Sequence, residues 1–460
     1  MWVPHETTRC EPLEVHLGVT EDPTTMRVTW RTRGRDCPTS VSYAPSIESF
    51  TDRPWSEKTV FGISYEGDPA MLCGSVASQY DFELFLHTAV MTGLVPNESY
   101  DYGLPHDDRR FTFTASKPPG DESEFVFFVF GDMGVTVDKQ GKYSGAEIVQ
   151  SKMLEEIQNG VPDLMLDVGD ISYANGDPFV WEAFMSVIEP FSSQSLWIAG
   201  VGNHEYDMGD NGQLDPWGLE PFQPKWGNME ENDSKGECGL HVYWRFPFGQ
   251  FYAPLQTNAG QSFLPAPRHG DPFPPFYYSF DQGLVHVVTL STEHDVEADS
   301  AQIAWLEKDL ASVDRCVTPF IVVTGHRPFY APQRSTKDFR TGKGLRERLE
   351  DLLIRYRVDV FISGHVHVYY RLCEARNGLC VPPREGLVSM VIGSGGHDLE
   401  EMDRGDFESF DEIVYARKWG FGKFHVNGHE SMDFQFIEAE TGEILDSHQF
   451  VNRGNCVVAQ

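Results

Sequence analysis

The stretch FISGHVHVYYR, residues 361–371, carries two histidines two positions apart at the end of an apolar run. In an extended chain, residues i and i+2 project to the same side. His365 and His367 are therefore expected to point into one space where the strand leaves the core, and two imidazoles in one space can bind a transition metal. Such a pair also occurs at strand ends where both histidines are only solvated or hydrogen-bonded, so other segments must decide between the two interpretations.

Four other apolar runs end in a glycine that is followed at once by a side chain able to bind a metal. Ligands of open α/β sheets bind at the carboxyl ends of the strands, and a glycine there permits a sharp turn without side-chain bulk. One Gly-Asp is an ordinary turn, but five such ends in register with five strands favour a common site. The segments GDMG, GDISY, GNHE, GHRP and GHVH supply the candidate metal ligands Asp132, Asp170, Tyr173, Asn203, His326, His365 and His367.

This set contains two carboxylates, one phenol, one carboxamide and three imidazoles, which suits two metal ions better than one. Three imidazoles argue against calcium or magnesium alone. With one carboxylate bridging, such a pair permits two-metal hydrolysis, in which ions about 3.5–4 Å apart stabilise the attacking and the leaving oxygen. The residues thus predict a hydrolase with a binuclear metal centre.

The elements that must position these residues fall into two parts. Short alternating segments between residues 12 and 115 are typical of a β-sandwich, and the Pro-, Gly- and acid-rich stretch 116–124 reads as a linker. Beyond it, buried apolar runs alternate with amphipathic segments, which predicts an α/β architecture with strands covered on both faces. We therefore expect a β-sandwich domain over 1–117 and a catalytic domain over 118–460, with a long insertion at about 206–278.

Charge and cysteine content narrow the function class. The formal net charge of −34 over 460 residues disfavours nucleic acid as a partner, and no apolar run approaches the roughly 20 residues that span a bilayer. Eight cysteines without metal-knuckle spacing suggest disulfides, of which Cys373 with Cys380 is the nearest pair. Together with the sequons at Asn97 and Asn232 they favour a secreted or lysosome-like location; any signal peptide is absent or already removed.

With the five segments in this order, the chain resembles the purple acid phosphatases of the calcineurin-like metallophosphoesterase superfamily, whose pattern is GDxG, GDxxY, GNHE or GNHD, VxxH and GHxH. The opening PLEVHLGVTEDPTTMRVTW and the closing AETGEILDSHQF are similar to the same family. The resemblance implies an α/β fold, a four-layer α/β/β/α sandwich preceded by an all-β fibronectin III-like domain. It also implies an acid phosphatase that hydrolyses small phosphate monoesters by attack of a metal-bound hydroxide.

Carried over position by position, the resemblance implies a ferric ion and a divalent ion, Zn, Fe or Mn, with Asp170 bridging them. His204 would bind phosphate and protonate the leaving group; the other interpretation is that it only orients Asn203. The remaining ferric ligands are Asp132, Tyr173 and His367, and the remaining ligands of the divalent ion are Asn203, His326 and His365.

The chain departs from the plant members after His326. Those members have two substrate-binding histidines about ten residues further on, whereas this chain has Ser335 and Thr336 there. Arg327 or Arg334 would replace them, because a guanidinium suits phosphate oxygens, although Arg327 could equally pack beneath the site.

Three alternatives to the monoesterase stay open. A changed pocket would suit a phosphodiesterase or a pyrophosphatase. The non-enzymatic alternative is a secreted metal-containing glycoprotein whose sandwich domain binds a partner. Monomer and homodimer are both open.

Overall fold

The fold is seen in a computed structural model that describes residues 9–46, 57–74, 76–135, 145–207, 222–227, 229, 232–247, 256–258, 261–263, 276–332, 336–402, 410 and 413–453. Two groups of strands follow one another along the chain. The first is all β, and the second is a pair of facing sheets flanked by helices.

The amino-terminal strands form two antiparallel layers. Strands β1, β2, β6 and β5 lie side by side in one layer, and β4, β3, β7 and β8 form the other. Strand β8 shows why they fold this way, since FTFT alternates buried phenylalanine with exposed threonine, the pattern of a sheet with one face in the core. The strands are β1 (Leu13–Gly18), β2 (Thr25–Thr32), β3 (Ser40–Pro45), β4 (Lys58–Phe61), β5 (Ile63–Gly67), β6 (Leu84–Thr92), β7 (Ser99–Gly103) and β8 (Phe111–Thr114).

The second group of elements begins at Phe125. Its helices are α1 (Ala146–Asn159), α2 (Pro178–Ser192), α3 (Leu240–Arg245), α4 (Ala301–Ser312) and α5 (Thr336–Arg355). Its strands are β9 (Phe125–Phe130), β10 (Leu164–Asp167), β11 (Leu196–Ala199), β12 (Gln256–Asn258), β13 (Gln261–Phe263), β14 (Tyr278–Gln282), β15 (Val285–Thr289), β16 (Phe320–Thr324), β17 (Val360–Ser363), β18 (Tyr369–Arg376), β19 (Leu379–Cys380), β20 (Leu387–Ile392), β21 (Ile413–Ala416), β22 (Gly420–Val426), β23 (Ser431–Glu438) and β24 (Ile444–Val451).

Two large sheets carry the site. The first has the order β24-β23-β22-β9-β10-β11-β1-β2-β6-β5, and the second has the order β14-β15-β16-β17-β20-β18-β19 with β21 paired to β18. Strands β9 to β11 are mutually parallel, and so are β15, β16, β17 and β20. Strand β1 pairs with β11 at Leu17 and Leu196, so one layer of the amino-terminal module continues directly into the first large sheet.

Alternate side chains of the parallel strands enter different cores. Phe127 and Val129 of β9 pack between the two sheets with Val322 of β16, while Phe128 packs outward with the residues of α1 and α2. On the second sheet, Val323 faces outward into the core that α4 and α5 cover. Burial on both faces explains the continuous apolar runs, and the layers confirm the predicted four-layer α/β/β/α sandwich behind an all-β module.

Several local predictions can be compared with the structure. Three stretches of the sequence, 146–158, 301–313 and 344–357, have the amphipathic pattern that predicts a helix. The first two coincide with α1 and α4, whereas α5 begins at Thr336, eight residues before the third stretch. The helix contains Gly342 and Gly344; a Cβ at Gly344 would collide with the ring of Trp226, so close packing retains residues of poor helix propensity. The domain boundary at 117 and 118 stays a prediction.

The predicted insertion at about 206–278 lies mostly outside the described residues. The part that the structure describes includes α3 and the short β12–β13 ladder, although the sequence showed no periodicity there. Among the described helices, none combines the length and the apolar character needed to cross a bilayer. Cys373 pairs with Cys380, its nearest cysteine in the sequence, and Cys10–Cys37 and Cys73–Cys238 are further disulfides.

His286 gives the second sheet a pH-dependent contact. Its ring nitrogens lie 2.7 Å from Asp281 Oδ1 and 3.0 Å from Asp309 Oδ2. Burial acts to lower the pKa of His286, but the two carboxylates outweigh it and raise the pKa to about 9. The pKa is raised on folding, so the stabilisation is complete below the unfolded value of about 6.5 and is lost as the pH rises through about 9.

We therefore expect His286→Gln to lower the free energy of unfolding by on the order of 3 kcal/mol at pH 6 and much less at pH 10. Urea unfolding at both pH values measures the difference. His429→Gln is the control, because His429 pairs with Glu122 at the surface. An equal loss for His286→Gln at both pH values would mean that the ring acts only through packing.

Candidate metal centre

Five loops at the carboxyl ends of parallel strands converge on one site. Strands β9, β10 and β11 of the first sheet lead into the loops of Asp132, Asp170 and Asn203, and β16 and β17 of the second lead into those of His326 and His365. The two sheets face one another, so both sets of loops meet at one end of the sandwich. The structure thus brings together the strand ends that the sequence analysis singled out.

The backbone at these loops is unusual. Asp132, Asp170, Tyr173 and His365 have φ values of 58°, 52°, 53° and 68°, in the left-handed region that costs a residue with a Cβ about 1 kcal/mol or more. Strain of this kind persists only where the surrounding contacts fix the conformation, and it concentrates at functional sites. Four candidate ligands share this conformation.

One sequence argument is wrong in its local geometry. His365 and His367 were expected on one side of an extended strand, but β17 ends at Ser363 and both histidines lie in the loop that follows. The left-handed turn at His365 redirects the chain, and the His365 backbone N donates to Asp132 Oδ2 at 2.9 Å. The histidines reach the site through a turn and not through strand alternation.

Tyr173 lies at the centre of the first group of donors. Its hydroxyl is 3.1 Å from Asp132 Oδ1, 3.3 Å from Asp170 Oδ2 and 2.8 Å from His367 Nε2. His367 Nε2 is also 3.4 Å from Asp132 Oδ1. These four side chains face one point and match the set that the resemblance gave to the ferric ion.

The second group of donors gathers around His326. Its Nε2 lies 3.1 Å from Asp170 Oδ2 and 3.2 Å from Asn203 Oδ1, and Asp170, His326 and His365 offer ligand atoms within 4.8 Å of one another. Asp170 therefore touches both groups, as a bridging carboxylate must. Oxygen and imidazole donors in two adjoining sets fit a pair of hard-to-borderline ions.

Glu205 joins two of the loops from below. This buried carboxylate accepts hydrogen bonds from the backbone N of Asp170, Ile171 and Gly202, at 2.8, 2.8 and 3.0 Å. A Cβ at Gly202 would collide with Asp170 Oδ1, which explains the glycine in GNHE. Burial, and next the charge of Asp170, raises the pKa of Glu205 well above its usual value.

Charges within the site compensate one another. Burial acts to raise the pKa of Asp170, but His326 and His204 hold it well below its usual range. Burial acts to lower the pKa of His326 and His367, yet the neighbouring carboxylates raise them to about 10 and about 9. Burial and the same carboxylates raise the pKa of Tyr173 well above its usual value. The protons of His326 and His367 therefore supply positive charge that balances the carboxylates, as bound cations would.

His204 lies beside the donors without belonging to either group. Its backbone N donates to Asp170 Oδ1 at 2.9 Å, and its ring lies tilted at 49° against that of Tyr173, with centroids 4.3 Å apart. Nδ1 is 2.6 Å from Asn175 Oδ1, so Nδ1 carries the proton and Nε2 is left 3.9 Å from Asp170 Oδ2. The ring bonds to Asn175 and not to Asn203, which disfavours the interpretation that it only orients Asn203.

Of the two arginines predicted to contact substrate, the structure describes only Arg327. Arg327 is buried, its Nε donates to both oxygens of Glu293 at 2.9 Å, and its Nη1 is 3.2 Å from His365 Nε2. It therefore packs against the site as an ion pair. Arg334 lies outside the described residues. Asp338 of α5, which the sequence analysis missed, places Oδ1 3.2 Å from His365 Nε2.

His397 is a second residue that the sequence analysis missed. Its ring stacks on Tyr173 on centroids 4.1 Å apart, its Nδ1 is 3.2 Å from His367 Nδ1, and its backbone N donates to the Asp132 carbonyl at 2.9 Å. The glycines of SGGHD were the only local signal: a Cβ at Gly395 would collide with the Gly131 carbonyl.

The two sequons differ in their surroundings. Asn97 is exposed and its Nδ2 donates to Asp121 Oδ2 at 2.6 Å. Asn232 is half-buried, and Ser234 of the same sequon is fully buried with its hydroxyl donated to Asp207. Glycosylation stays a prediction at both.

Three family models match the chain in succession. The purple acid phosphatase N-terminal domain matches residues 12–116, the calcineurin-like phosphoesterase matches residues 125–369, and the iron/zinc purple acid phosphatase-like protein C matches residues 386–447. A solved structure of purple acid phosphatase PPD1 from yellow lupin (Lupinus luteus) seeds has the same fold, with a TM-score of 0.77 at 24% identity over 96% of this chain and 74% of that one.

Curated relatives carry three kinds of name. Probable inactive purple acid phosphatase 9 of Arabidopsis thaliana is 31% identical over 80% of this chain. The chain spans only 57% of the length of that relative, and also 57% of the length of probable inactive purple acid phosphatase 27 of the same plant. A nucleotide pyrophosphatase/phosphodiesterase of Hordeum vulgare is 28% identical over 73% of this chain and 86% of its own length. Acid phosphatase A of Cryphonectria parasitica is 26% identical over 83% of this chain and 85% of its own length.

Proposed function

Since this chain belongs to the purple acid phosphatases of the calcineurin-like phosphoesterase family, we propose that it hydrolyses small phosphate monoesters at acidic pH with a binuclear metal centre. The observation that carries the proposal is Asp170, whose carboxylate lies within 3.3 Å of both Tyr173 Oη and His326 Nε2. A carboxylate shared by two donor groups is what a pair of ions requires.

The donor chemistry supports a ferric ion beside a divalent ion. Phenol and carboxylate oxygens are hard donors suited to Fe(III), and two imidazoles with a carboxamide oxygen suit Zn, Fe or Mn in the divalent state. Such a pair, when bound, supplies a nucleophile at low pH and neutralises the phosphate oxygens. Asp132, Tyr173 and His367 would hold the first ion, and Asn203, His326 and His365 the second, with Asp170 between them.

The chain's own contribution to the chemistry centres on His204. With Nδ1–H held by Asn175 Oδ1, Nε2 is the nitrogen on the Asp170 side, the position for a contact to a phosphate oxygen. An imidazolium there would donate first to phosphate and then to the departing alkoxide, which is general acid catalysis. The site therefore positions a proton as well as the substrate.

A second candidate activity has a specific observation behind it. The Hordeum relative is named a nucleotide pyrophosphatase/phosphodiesterase, and Arg327, the nearest arginine after His326, is already paired with Glu293. Asp338 adds negative charge beside His365. A pocket with less net positive charge would accept a singly charged diester more readily than a dianionic monoester.

Initial rates on p-nitrophenyl phosphate and bis(p-nitrophenyl) phosphate, from about pH 4 to 8, test both candidates. The protein should carry counted metals. Faster monoester turnover with an acidic optimum is the expected result, and faster diester turnover would replace the proposal by the second candidate. A folded, metal-loaded chain without turnover on either would favour the secreted binding glycoprotein; four Arabidopsis relatives carry the words probable inactive in their names.

Tyr173→Phe gives a spectroscopic prediction. Tyrosinate bound to ferric iron absorbs visible light by charge transfer, so the variant should lose the visible band while some hydrolysis remains. Absorption spectra of the iron-loaded proteins measure this. Tyr206→Phe is the matched control, since Tyr206 stacks on His294 and is not one of the donors. An unchanged band in Tyr173→Phe would contradict the placement of Tyr173 on iron.

The disulfides and the exposed sequon support a secretory or lysosome-like location. Cys10–Cys37, Cys73–Cys238 and Cys373–Cys380 form and persist in oxidising compartments. Asn97 is exposed as a glycan acceptor must be. Enzymatic deglycosylation should shift the gel mobility of the parent protein by more than that of the Asn97→Gln variant. Equal shifts would mean that Asn97 carries no glycan.

A further inference from the structure

We propose that Asp233 is a positioning residue for the divalent metal site, and that the segment 232–239, here called the buttress, connects this site to the amino-terminal β module. This inference rests on the proposed binuclear centre and goes beyond it, because Asp233 is not among the donors. It gives the amino-terminal module a part in holding one of the two ions.

The first observation is the orientation of the Asn203 carboxamide. Asn203 Nδ2 donates to Asp233 Oδ2 at 3.0 Å, and Asn203 Oδ1 lies on the other side, 3.2 Å from His326 Nε2. A carboxamide can ligate a metal only through its oxygen, and its two ends differ in hydrogen-bonding character. Asp233 accepts from the NH₂ end and so turns the oxygen toward the donors. Outer partners that fix a ligand in this way typically change metal affinity 10- to 100-fold.

The second observation is that the buttress itself is firmly held to the same loops. Asp207 accepts hydrogen bonds from the backbone N and the hydroxyl of Ser234, and the Gly239 backbone N donates to the Glu205 carbonyl at 2.7 Å. Glu237, also buried, accepts from Gly176 N and from Trp181 Nε1, both at 2.8 Å. The carboxylate of Asp233 is thus presented from a segment with little freedom to move.

The third observation is the connection to the amino-terminal module. Cys238 is bonded to Cys73, 165 residues earlier in the chain. The backbone N of Cys73 donates to the Gly236 carbonyl, and that of Ala77 donates to the Lys235 carbonyl, both at 3.1 Å. A Cβ at Gly236 would collide with the backbone of Gly74. The turn between β5 and β6 is therefore seated on the buttress, and the disulfide fixes it there.

The experiment compares the two ions in one protein. On the iron-loaded chain, the dissociation constant for Zn(II) is measured by competition with a chelator, while iron is counted and the visible band is recorded. Asp233→Ala should weaken Zn(II) binding about 10- to 100-fold, with iron content and visible band unchanged. Asp233→Asn keeps an oxygen that can accept from Asn203 Nδ2 and should recover most of the affinity.

Asp101→Ala is the matched control, since Asp101 is a carboxylate of the amino-terminal module that accepts a hydrogen bond from the Thr112 hydroxyl. It should leave Zn(II) binding as in the wild type. The double variant Cys73→Ala with Cys238→Ala should weaken Zn(II) binding by less than Asp233→Ala does, again without loss of iron.

The outcomes separate this inference from the proposed function. Unchanged Zn(II) affinity in Asp233→Ala, or a parallel loss of both ions, overturns the inference while leaving the binuclear centre in place. A wild-type chain that binds neither ion overturns the proposed function and the inference with it. Weaker Zn(II) binding in Asp233→Ala with iron retained, together with near-normal Zn(II) binding in Asp233→Asn, supports both the inference and the proposed function.

Discussion

Asp170→Asn is expected to lower the rate of p-nitrophenyl phosphate hydrolysis by about three orders of magnitude or more. The carboxylate of Asp170 contacts side chains of both donor groups, Tyr173 on one side and His326 on the other. A carboxamide has one ligand oxygen in place of two and no charge, so it cannot bridge two cations. Losing several kcal/mol of transition-state stabilisation corresponds to this factor in rate.

Metal counting on the same variant decides how the activity is lost. We expect both ions to be depleted, because each loses a ligand at once. Asp163→Asn is a suitable control, since Asp163 is a largely buried carboxylate that pairs with Lys117 at the opposite end of β10. Near-normal turnover by Asp170→Asn would contradict the bridging role.

His204→Ala is expected to lower kcat by about 10²- to 10⁴-fold, the usual contribution of a general acid, while both metals stay bound. His204 contacts the donors through its backbone N, which donates to Asp170, and through its ring, which lies tilted against Tyr173 and places Nε2 3.9 Å from Asp170 Oδ2. The Asn175→Ala variant should show a smaller loss, because it removes only the acceptor that fixes the His204 tautomer.

The choice of leaving group separates the two roles of His204. An alkyl phosphate needs its departing oxygen protonated, whereas p-nitrophenolate leaves without a proton. A general acid predicts a larger loss on the alkyl phosphate, and a residue that only binds phosphate predicts equal losses on both. His425→Ala is the control, because His425 pairs with Glu124 far along β22 from the site. Loss of metal in His204→Ala would show that His204 stabilises the metal centre and would contradict its role as a general acid.

Much of the candidate site could be predicted from the sequence because its signals are local. An apolar run of β length followed by Gly and one polar residue marks where a strand ends and a ligand begins, as at Asp132 after β9. The end of the strand and the ligand lie next to one another in the chain, so a short stretch of sequence contains both. The pairing of parallel strands then brings all such ends to one edge, which is why separate segments predict one centre.

The local conformation of the ligands did not follow from the same signals. Sequence alternation predicted His365 and His367 on an extended strand, whereas the chain makes a left-handed turn at His365. That turn is stabilised by a hydrogen bond to Asp132, more than 200 residues away in the chain. A contact between residues so far apart in the chain stabilises a strained backbone conformation, which a local sequence pattern does not predict.

The sequence by itself determined an α/β architecture and the strand ends at which the candidate ligands lie, because continuous apolar runs and strand-end glycines occupy short windows. The four-layer arrangement followed from the resemblance to a family. Only the tertiary structure decided which residues surround the ligands. His397 reaches Tyr173 through a glycine loop packed on Gly131, Asp338 reaches His365 from α5, and Asp233 reaches Asn203 from the buttress. Each is an ordinary polar residue in its own window, and its role arises from packing between segments that are distant in the chain.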